Sequence, residues 1–323
     1  MPRALENLRL SSKREIAKIP KDISRIESHW GGIFYHPQFV DLAAEFLNLQ
    51  GESRFLQSAG SSFCALNLLF QQRKVVKAAT IPLMFQYFGP LFLEEDSEEQ
   101  SMAEVDRYLS GKCDFAYFSF SPGFRPAAGF PSGWHAIQTA TLALTAEDLK
   151  AWGDCFRHDV RNKIRKARKE SVRIEQCESL PQELWSLAYT RRGLKPPLEP
   201  PALARWCERL MTNSMLKLYV AKINDNPVAF RGQLFLGPFA YDWIAGSDPE
   251  FHATGANQLL MAEIGHEHAG AEIKTWDLVG GQIKSIADFK KSFGARMVYH
   301  YQAYKSFNLK GKVFSVVRKF KNG

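Results

Sequence analysis

The chain has 323 residues, 45% of them hydrophobic and 24% charged, with a net charge of +8 and a pI near 9.2. These values are ordinary for a soluble globular protein, and the length allows two domains with a sizeable core. The positive charge indicates an anionic partner: a nucleic acid, a nucleotide-linked or phosphorylated substrate, or an acidic membrane surface. A merely basic surface explains the charge equally well.

Cysteine usage and hydrophobic patterning exclude several classes of protein. The five cysteines are Cys64, Cys113, Cys155, Cys177 and Cys207. Their odd number and the lack of a C-x-x-C pair disfavour a disulfide framework or a zinc site and favour buried thiols in a reducing compartment. The N-terminus lacks the apolar core of a secretory signal. The most apolar run, residues 78–93, is interrupted by prolines and is shorter than the about 20 residues of a spanning helix. We therefore expect a cytoplasmic protein, or one attached to the inner face of the cell membrane.

The first 133 residues predict a domain of mixed helices and strands. Its expected elements are a polar leader (1–30), a strand end (34–37), a helix (38–49), strands at 54–58, 62–70 and 74–88 with turns at 59–61 and 71–72, a helix (94–109) and a strand (114–120). Pro37 suits the first turn of its helix, where a missing N–H costs nothing. The Pro/Gly-rich stretch 121–133 predicts a domain boundary.

The same order of elements recurs after Trp134. We expect a strand (135–144), a long basic helix (145–170), a strand (172–176), helices at 182–192 and 202–212, a three-stranded meander (216–223, 228–236, 239–245), a helix from 256 to 270, a strand (275–279), a second helix and a last strand. The duplication predicts two domains, at 1–133 and 134–305, followed by a tail at 306–323.

The loop before the helix at 256 predicts an anion site. Thr254 is placed to cap this helix, whose first turn directs unpaired N–H groups into the loop. The residues expected to hold a phosphate are Thr254, Gly255, Ala256 and Asn257. The loop resembles the R/Q-x-x-G-x-G/A motif with which GNAT acyltransferases hold the pyrophosphate of acyl-CoA. His252 and Asn257 depart from that motif, and this argues against coenzyme A as the donor.

Three further motifs resemble those of the FemAB-like transferases, which build peptide cross-bridges in bacterial cell walls. The chain has RNKIRKARK at 161–169 for R-N-x-I-R-K-A-x-K, ADFKKSFG at 287–294 for E-F-K-x-x-F-G, and YFGP at 87–90 for Y-x-G-P. The resemblance covers residues 30–304. It implies an α+β fold of two tandem GNAT-like domains, each with a mixed, mostly antiparallel sheet flanked by helices.

The motifs supply candidate binding residues. Arg161, Arg165 and Arg168 share one helix face, where like charges repel unless an anion lies against them. We expect them, with Tyr35, to bind the phosphates of an acceptor or of tRNA, although a solvated basic face is the alternative. The lysine that matches Lys290 lies in the FemAB-like transferase site, so Lys290 is expected to hold a phosphate or polarise the reacting carbonyl. Alternatively, its stem only covers apolar surface.

A general base is expected on one of two strands. Asp242 and Asp277 are the candidates, and Asp277 is alternatively an anchor for the turn at Gly280. Tyr241 and Trp243 alternate with Asp242 and are expected in the core. His266 and His268 lie on different helix faces, so no metal is expected.

The tail predicts a basic amphipathic helix. Its apolar face is expected to comprise Leu309, Val313, Val316, Val317 and Phe320, among the basic residues Lys310, Lys312, Arg318, Lys319 and Lys321. Such a helix lies on an acidic membrane or docks onto its own protein, and the pattern leaves both open.

Taken together, the sequence predicts an acyltransferase that moves an aminoacyl or acyl group onto an amine of a cell-wall or polysaccharide precursor. The acceptor is small or linked to a nucleotide or lipid; the donor is aminoacyl-tRNA or acyl-CoA, with no tightly bound cofactor and no DNA partner. One alternative is an acetyl-CoA-dependent N-acetyltransferase. The other is a non-catalytic basic protein that binds RNA or an anionic glycan.

Overall fold

The computed structural model describes residues 23–57, 63–73, 75–93, 98–124, 129–190 and 193–322. The twelve strands of these residues join one continuous sheet, in the order β1-β2-β3-β5-β12-β6-β11-β10-β9-β8-β7, with β4 paired to β2. Two pairs, β3 with β5 and β10 with β11, are parallel, and the other pairs are antiparallel. This mixed, mostly antiparallel sheet flanked by helices confirms the predicted fold class.

The elements of the first half are α1 (Ile23–Glu27), a 3-10 helix (Gly32–Tyr35), α2 (Pro37–Phe46), β1 (Gln50–Gln57), β2 (Phe63–Arg73), β3 (Val76–Thr80), β4 (Gly89–Phe92), α3 (Glu98–Ser110) and β5 (Phe115–Ser119). Pro37 begins α2, as predicted. Phe34 and Phe39 are fully buried in the core that α2 covers.

The elements of the second half are β6 (His135–Thr145), α4 (Ala146–Lys150), α5 (His158–Lys169), β7 (Arg173–Cys177), α6 (Gln182–Thr190), α7 (Pro200–Thr212), β8 (Leu216–Ile223), β9 (Asn226–Leu236), β10 (Phe239–Ser247), a 3-10 helix (Pro249–Thr254), α8 (Ala256–Gly270), β11 (Thr275–Asp277), α9 (Lys284–Lys291), β12 (Arg296–Ser306) and α10 (Leu309–Asn322). The predicted meander is therefore β8 to β10.

The two halves are joined through the sheet and through the core. β12 pairs with β5 on one side and with β6 on the other. A core cluster also crosses the predicted boundary, since the Phe39 ring of α2 lies 5.8 Å from the Trp206 ring of α7. The division at residue 133 remains a prediction; residues 121–124 and 129–133 lie between β5 and β6.

Several expected elements were wrong. Residues 32–35 form a 3-10 helix rather than a strand end, because their side chains all face the core at a turn that starts from Gly31 in the left-handed conformation. The long basic helix is two helices: α4 ends at Lys150, and a turn with Gly153 at φ +101° precedes α5. The strand predicted over 74–88 ends at Thr80, two residues before Pro82.

Two smaller expectations also differ. Residues 71–72 continue β2 instead of turning, since they pair with β3. Cys155 is exposed and Cys177 half-buried, while Cys64, Cys113 and Cys207 are buried thiols as predicted. Residues 1–22 of the leader predicted over 1–30, and the turn predicted at 59–61, lie outside the described residues; the described end of the leader contains α1.

Candidate active site

A cavity opens where β10 and β11 separate. The two strands pair in parallel only from Phe239 to Tyr241 and from Thr275 to Asp277. One residue further, β10 has a bulge against β9, with the register shifting between Asp242 and Ile244. The space beyond the last pair is a cavity of about 510 Å³. Its lining includes residues of β9, β10, α5, α8 and α9, so these five elements meet at one place.

Asp242 is the centre of a buried charged cluster beside this cavity. Its Oδ2 accepts a hydrogen bond from Arg231 Nη1 at 2.6 Å and lies 3.2 Å from Lys290 Nζ. Its Oδ1 accepts from Gln233 Nε2 at 2.8 Å, and Gln233 Oε1 accepts in turn from Trp276 Nε1 at 2.8 Å. Both oxygens of Asp242 are therefore engaged, which favours a counter-ion over the predicted general base.

The pKa directions agree with that assignment. Burial by itself raises the pKa of the Asp242 carboxyl, but Arg231 and Lys290 more than offset it, so the pKa lies below its usual range. Burial lowers the pKa of Lys290, and Arg231 lowers it further, whereas Asp242 raises it. Asp242 is thus ionised at neutral pH, and its charge opposes the lowering of the Lys290 pKa that burial causes.

Lys290 reaches the cluster because of the motif that surrounds it. Phe293 is fully buried against Trp152 and Phe156, with ring centroids 6.0 and 5.1 Å away, and this contact fixes the end of α9. Lys290 then extends inward, donating to the carbonyl of Leu278 and, at 3.3 Å, to that of Val279. Its side chain is only 8% exposed and lines the cavity. The alternative of a stem with its ammonium in water does not describe this lysine.

The start of α8 lines the same cavity. The N-cap is Gly255 rather than Thr254, whose hydroxyl nonetheless accepts from the Ala256 N–H at 3.2 Å. Gly255 has φ +80°, and a side chain there would collide with the carbonyl of Lys163 in α5, so both conformation and packing require glycine. Asn257 and the next residue, Gln258, line the cavity in the first helical turn, where backbone N–H groups have no partner within the helix. The Asn257 side chain accepts from Arg231 Nη2 at 3.1 Å.

The predicted acceptor residues lie elsewhere. Arg161 donates to the carbonyl of Phe156 at 2.6 Å, Arg165 to the side chain of Asn162, and Arg168 pairs with Glu263 at 3.0 Å. These contacts fit the alternative of a solvated basic face.

Tyr35 is also remote from any surface. It is 1% exposed within the core of the first half, and burial raises the pKa of its phenol well above the usual range. Its position therefore does not favour a contact with an anionic acceptor. The residue of the basic helix that does line the cavity is Lys163.

Asp277 is buried in a different way, at the junction of the two halves. Its Oδ2 accepts from Trp30 Nε1 at 2.8 Å and from Tyr87 Oη at 2.5 Å. Its Oδ1 accepts from Thr141 Oγ1 at 2.6 Å and from the Val279 N–H at 2.8 Å. Asp277 is fully buried and is not part of the cavity lining. This geometry fits the structural alternative, with Asp277 also tying the first half to the second.

The structure also shows how deeply the other residues considered in the sequence are buried. Tyr241 is fully buried, as predicted, and its hydroxyl accepts from the Gly31 N–H at 2.7 Å. Trp243 is half-buried; its ring packs on those of Phe39 and Trp206 in the core, as predicted, and it also lines the cavity beside the bulge. His268 is buried and His266 exposed, on different helix faces. Among the described residues, no three His, Cys, Asp or Glu side chains are grouped to hold a metal ion.

Arg231 and Gln233 were not among the sequence candidates, although a signal for them existed. A two-residue turn at 237–238 places Gln233 opposite Asp242 by counting outward along the two strands. Arg231 lies two residues from Gln233 and therefore on the same face. The Arg231 guanidinium also lies 5.3 Å from the Phe289 ring.

Comparison with known proteins gives one family match and several similar folds. Residues 155–291 match the acetyltransferase (GNAT) domain family. FemX has a similar structure over 91% of this chain and 97% of its own, at 11% identity and a TM-score of 0.65. The C-terminal domain of an Agrobacterium fabrum protein named a lysylphosphatidylglycerol synthetase is similar over 86% and 94%, at 13% identity and a TM-score of 0.53. The comparison with curated proteins gives no significant match.

A third similar fold is L-PGS from Bacillus licheniformis, over 86% of this chain and 94% of that one, at 12% identity and a TM-score of 0.50. The family match spans α5 to α9, which are the elements that surround the cavity. The similar folds extend over both halves of the chain. Residues 155–291 therefore match the acetyltransferase (GNAT) domain family, and the fold of the chain is similar to that of FemX over most of its length, in agreement with the resemblance of its sequence motifs.

Proposed function

We propose that this protein is an acyltransferase that moves an aminoacyl or acyl group onto an amine of a cell-wall or polysaccharide precursor, and that the cavity between β10 and β11 is its active site. The observation that carries the proposal is the placement of Lys290. A buried lysine, held by the Asp242 carboxylate and two backbone carbonyls, lines the cavity at the point where the strands separate.

The chemistry needs a cation at that point. When the amine nitrogen attacks the acyl carbonyl carbon, the carbonyl oxygen gains negative charge before the leaving group departs. A donor fixed in a water-poor site stabilises this charge, and losing one such donor costs roughly 10²- to 10³-fold in rate. In our proposal the Lys290 ammonium fills this role. Asp242 positions it, and the charge of Asp242 opposes the lowering of the Lys290 pKa by burial.

An anionic donor suits the charge of the cavity. Its described lining carries three cationic side chains, Lys163, Arg231 and Lys290, against one carboxylate, Asp242. The first turn of α8 adds backbone N–H groups and the positive end of a helix dipole. Acyl-CoA and aminoacyl-tRNA both bring phosphates to such a site, and the proposal needs no tightly bound cofactor.

The choice between these donors rests on different observations. The GNAT domain match and the separation of β10 from β11 favour acyl-CoA. The FemAB-like fold, together with His252 and Asn257 at the phosphate loop, favours aminoacyl-tRNA. The cell-wall acceptor rests on the FemAB-like resemblance alone.

The test compares two lysines of one helix. Lys290→Met removes the buried ammonium, and Lys284→Met removes an exposed one that pairs with Asp288 on the same helix. Transfer of a radiolabelled group from acetyl-CoA, or from aminoacyl-tRNA, to a nucleotide-linked peptide bearing a free amine gives kcat/KM. Calorimetry with CoA and filter binding of tRNA give donor affinity at low and moderate salt.

We expect Lys290→Met to lower kcat/KM by roughly 10²- to 10³-fold, while donor affinity falls much less because Lys163, Arg231 and the first turn of α8 remain. Lys284→Met should match the unaltered protein. Full turnover by a folded Lys290→Met protein would refute the role of this residue. Salt-resistant RNA binding without turnover from either donor would favour the non-catalytic alternative.

A further inference from the structure

The helix α10 is held on the first half of the protein by one narrow face. The ring of Phe314 packs against that of Phe115, with centroids 5.2 Å apart, beside Val76 and Ala78. Gly311 lies so close to the carbonyl of Asp114 that any side chain would collide with it. This face therefore fixes the rotation of α10 about its axis.

The start of the helix is clamped to the same place. Asn308 donates through Nδ2 to Asp114 Oδ1 at 2.6 Å, and its own Oδ1 accepts from the Gly311 N–H at 3.0 Å. The Phe307 N–H also donates to the Asp114 carbonyl at 2.9 Å. With both the start and the inner face fixed, the opposite face of α10 must point away from the protein.

That outer face is apolar. Leu309, Val313, Val316 and Val317 are 76%, 59%, 53% and 49% exposed. At about 100° per residue they fall within roughly 100° of one another, so they form a continuous stripe. The sequence predicted this stripe together with Phe320, whose side chain lies outside the described part of the structure, and left open whether the stripe docks onto the protein; Phe314 and Gly311 make that contact instead. Four neighbouring exposed aliphatic side chains are unusual for a surface that only meets water.

The charge of α10 limits what covers the stripe. Lys310 and Lys312 are exposed and flank the aliphatic stripe on its two sides around the helix. The α10 sequence adds Arg318, Lys319 and Lys321 and contains no acidic residue. A second copy of α10 would bring the same positive charge to the contact, which disfavours self-pairing through this stripe. An anionic lipid surface offers both an apolar layer and the opposite charge.

We propose that the outer face of α10 binds an anionic membrane surface, with the aliphatic stripe in the headgroup and acyl boundary and the lysines at the phosphates. The helix lies on the membrane and does not cross it; every helix of the described residues is too short or too polar to span a bilayer. This inference goes beyond the proposed function and does not depend on it, because α10 packs on β3, β5 and β12 rather than on the cavity.

The test is flotation of the full chain with vesicles of phosphatidylcholine alone or with about 30% phosphatidylglycerol. The stripe variant is Val313→Ser, Val316→Ser and Val317→Ser combined, which keeps every charge. Leu194→Ser is the matched control, since Leu194 is 48% exposed in the segment between α6 and α7. Because all these side chains are exposed, the fold should survive, and circular dichroism checks it.

We expect binding to the anionic vesicles that falls at least about tenfold in the stripe variant, weakens with salt, and is unchanged by Leu194→Ser. Lys310→Gln with Lys312→Gln should also weaken it. Equal binding by the stripe variant, or no binding to anionic vesicles at low salt, would overturn the proposal. So would a concentration-dependent dimer that the stripe variant abolishes, because a second copy would then cover the stripe.

Discussion

Asp242 and Asp277 are two buried carboxylates that the protein stabilises by different means. Asp242 faces two cations, Arg231 and Lys290, beside a cavity. Asp277 faces four neutral donors, from Trp30, Tyr87, Thr141 and the Val279 backbone. Both carboxylates were candidate bases in the sequence. They lie at neighbouring positions on adjacent strands, since Asp277 on β11 pairs with Tyr241, the residue before Asp242 on β10.

The difference in their partners separates a carboxylate suited to a reaction from one that stabilises the fold. A carboxylate among cations beside a cavity can adjust the charge that a ligand meets, because a neighbouring lysine is able to gain or lose a proton. A carboxylate sealed among neutral donors holds its neighbours in fixed positions, because a buried donor left without an acceptor is costly. Asp242 therefore belongs to the proposed chemistry and Asp277 to the junction between the halves.

Asp242→Asn should have the largest effect. It leaves Lys290 and Arg231 buried without a carboxylate, and breaking a buried ion pair in this way costs roughly 3 to 5 kcal/mol. The loss should shrink as pH rises. Without Asp242 the pKa of Lys290 in the folded protein falls further below its value in the unfolded chain. At a pH between these two pKa values the unfolded chain binds more protons than the folded protein, so stability increases with pH. Urea unfolding from pH 7 to 9.5 measures this.

Asp277→Asn provides the contrast for that experiment. The side-chain amide nitrogen of the new asparagine must face at least one of these donors. This leaves an N–H group unpaired, at a cost of about 1 to 3 kcal/mol. The donors around Asp277 are neutral, and its charge raises the pKa of Lys290 less than that of Asp242 does, so this loss should recover less with pH. Parallel pH dependence in the two variants would show that the two carboxylates are buried in the same way.

Tyr87→Phe should have an intermediate effect. It removes one hydrogen bond to a buried carboxylate, worth about 1.5 to 3 kcal/mol, and weakens the tie between the halves. Chemical denaturation measures the loss. Tyr299→Phe is the control, because Tyr299 is 51% exposed and should change stability little. A stable Tyr87→Phe protein would show that Trp30 and the other donors suffice to hold Asp277.

Local patterns predicted most of the fold. The strands β8 to β10, α8 and α9 follow from periodicity, turns and the glycine at 255, and the structure confirms them. The break between α4 and α5 was missed although the sequence contains Gly153, which lies in the connecting turn with φ +101°. Helical periodicity also could not show which face of α10 docks, since that depends on the distant Asp114 and Phe115.

The site was predicted only in part, for a physical reason. Motif resemblance identified Lys290 and Asn257, which the structure brings to one cavity. The roles of Asp242 and Asp277 depend on partners from other strands and from the first half, at separations of 9 to 247 residues. Strand register would have found Gln233, but nothing in the local sequence connects Asp277 with Trp30 or Tyr87.

His268 shows a third way to bury a titratable group, and its substitution should have the smallest effect at neutral pH. It packs against the rings of Trp276 and Phe235, and neither imidazole nitrogen has a hydrogen-bond partner among the described residues. Burial lowers its pKa from 6.5 to about 4, although Glu267 opposes the shift. Between these two values the unfolded chain binds a proton that the folded protein does not, so this group costs stability as pH falls.

His268→Leu should therefore leave stability nearly unchanged at pH 7.5 and flatten its loss on acidification. The gain relative to the unaltered protein should approach about 3 kcal/mol near pH 4, from 1.36 kcal/mol per pKa unit. Urea unfolding at pH 7.5, 6.5, 5.5 and 4.5 measures it, with His266→Leu on the exposed face of α8 as control. If the two variants lose stability equally on acidification, His268 is protonated in the folded protein, and its burial depends on a partner rather than on neutrality.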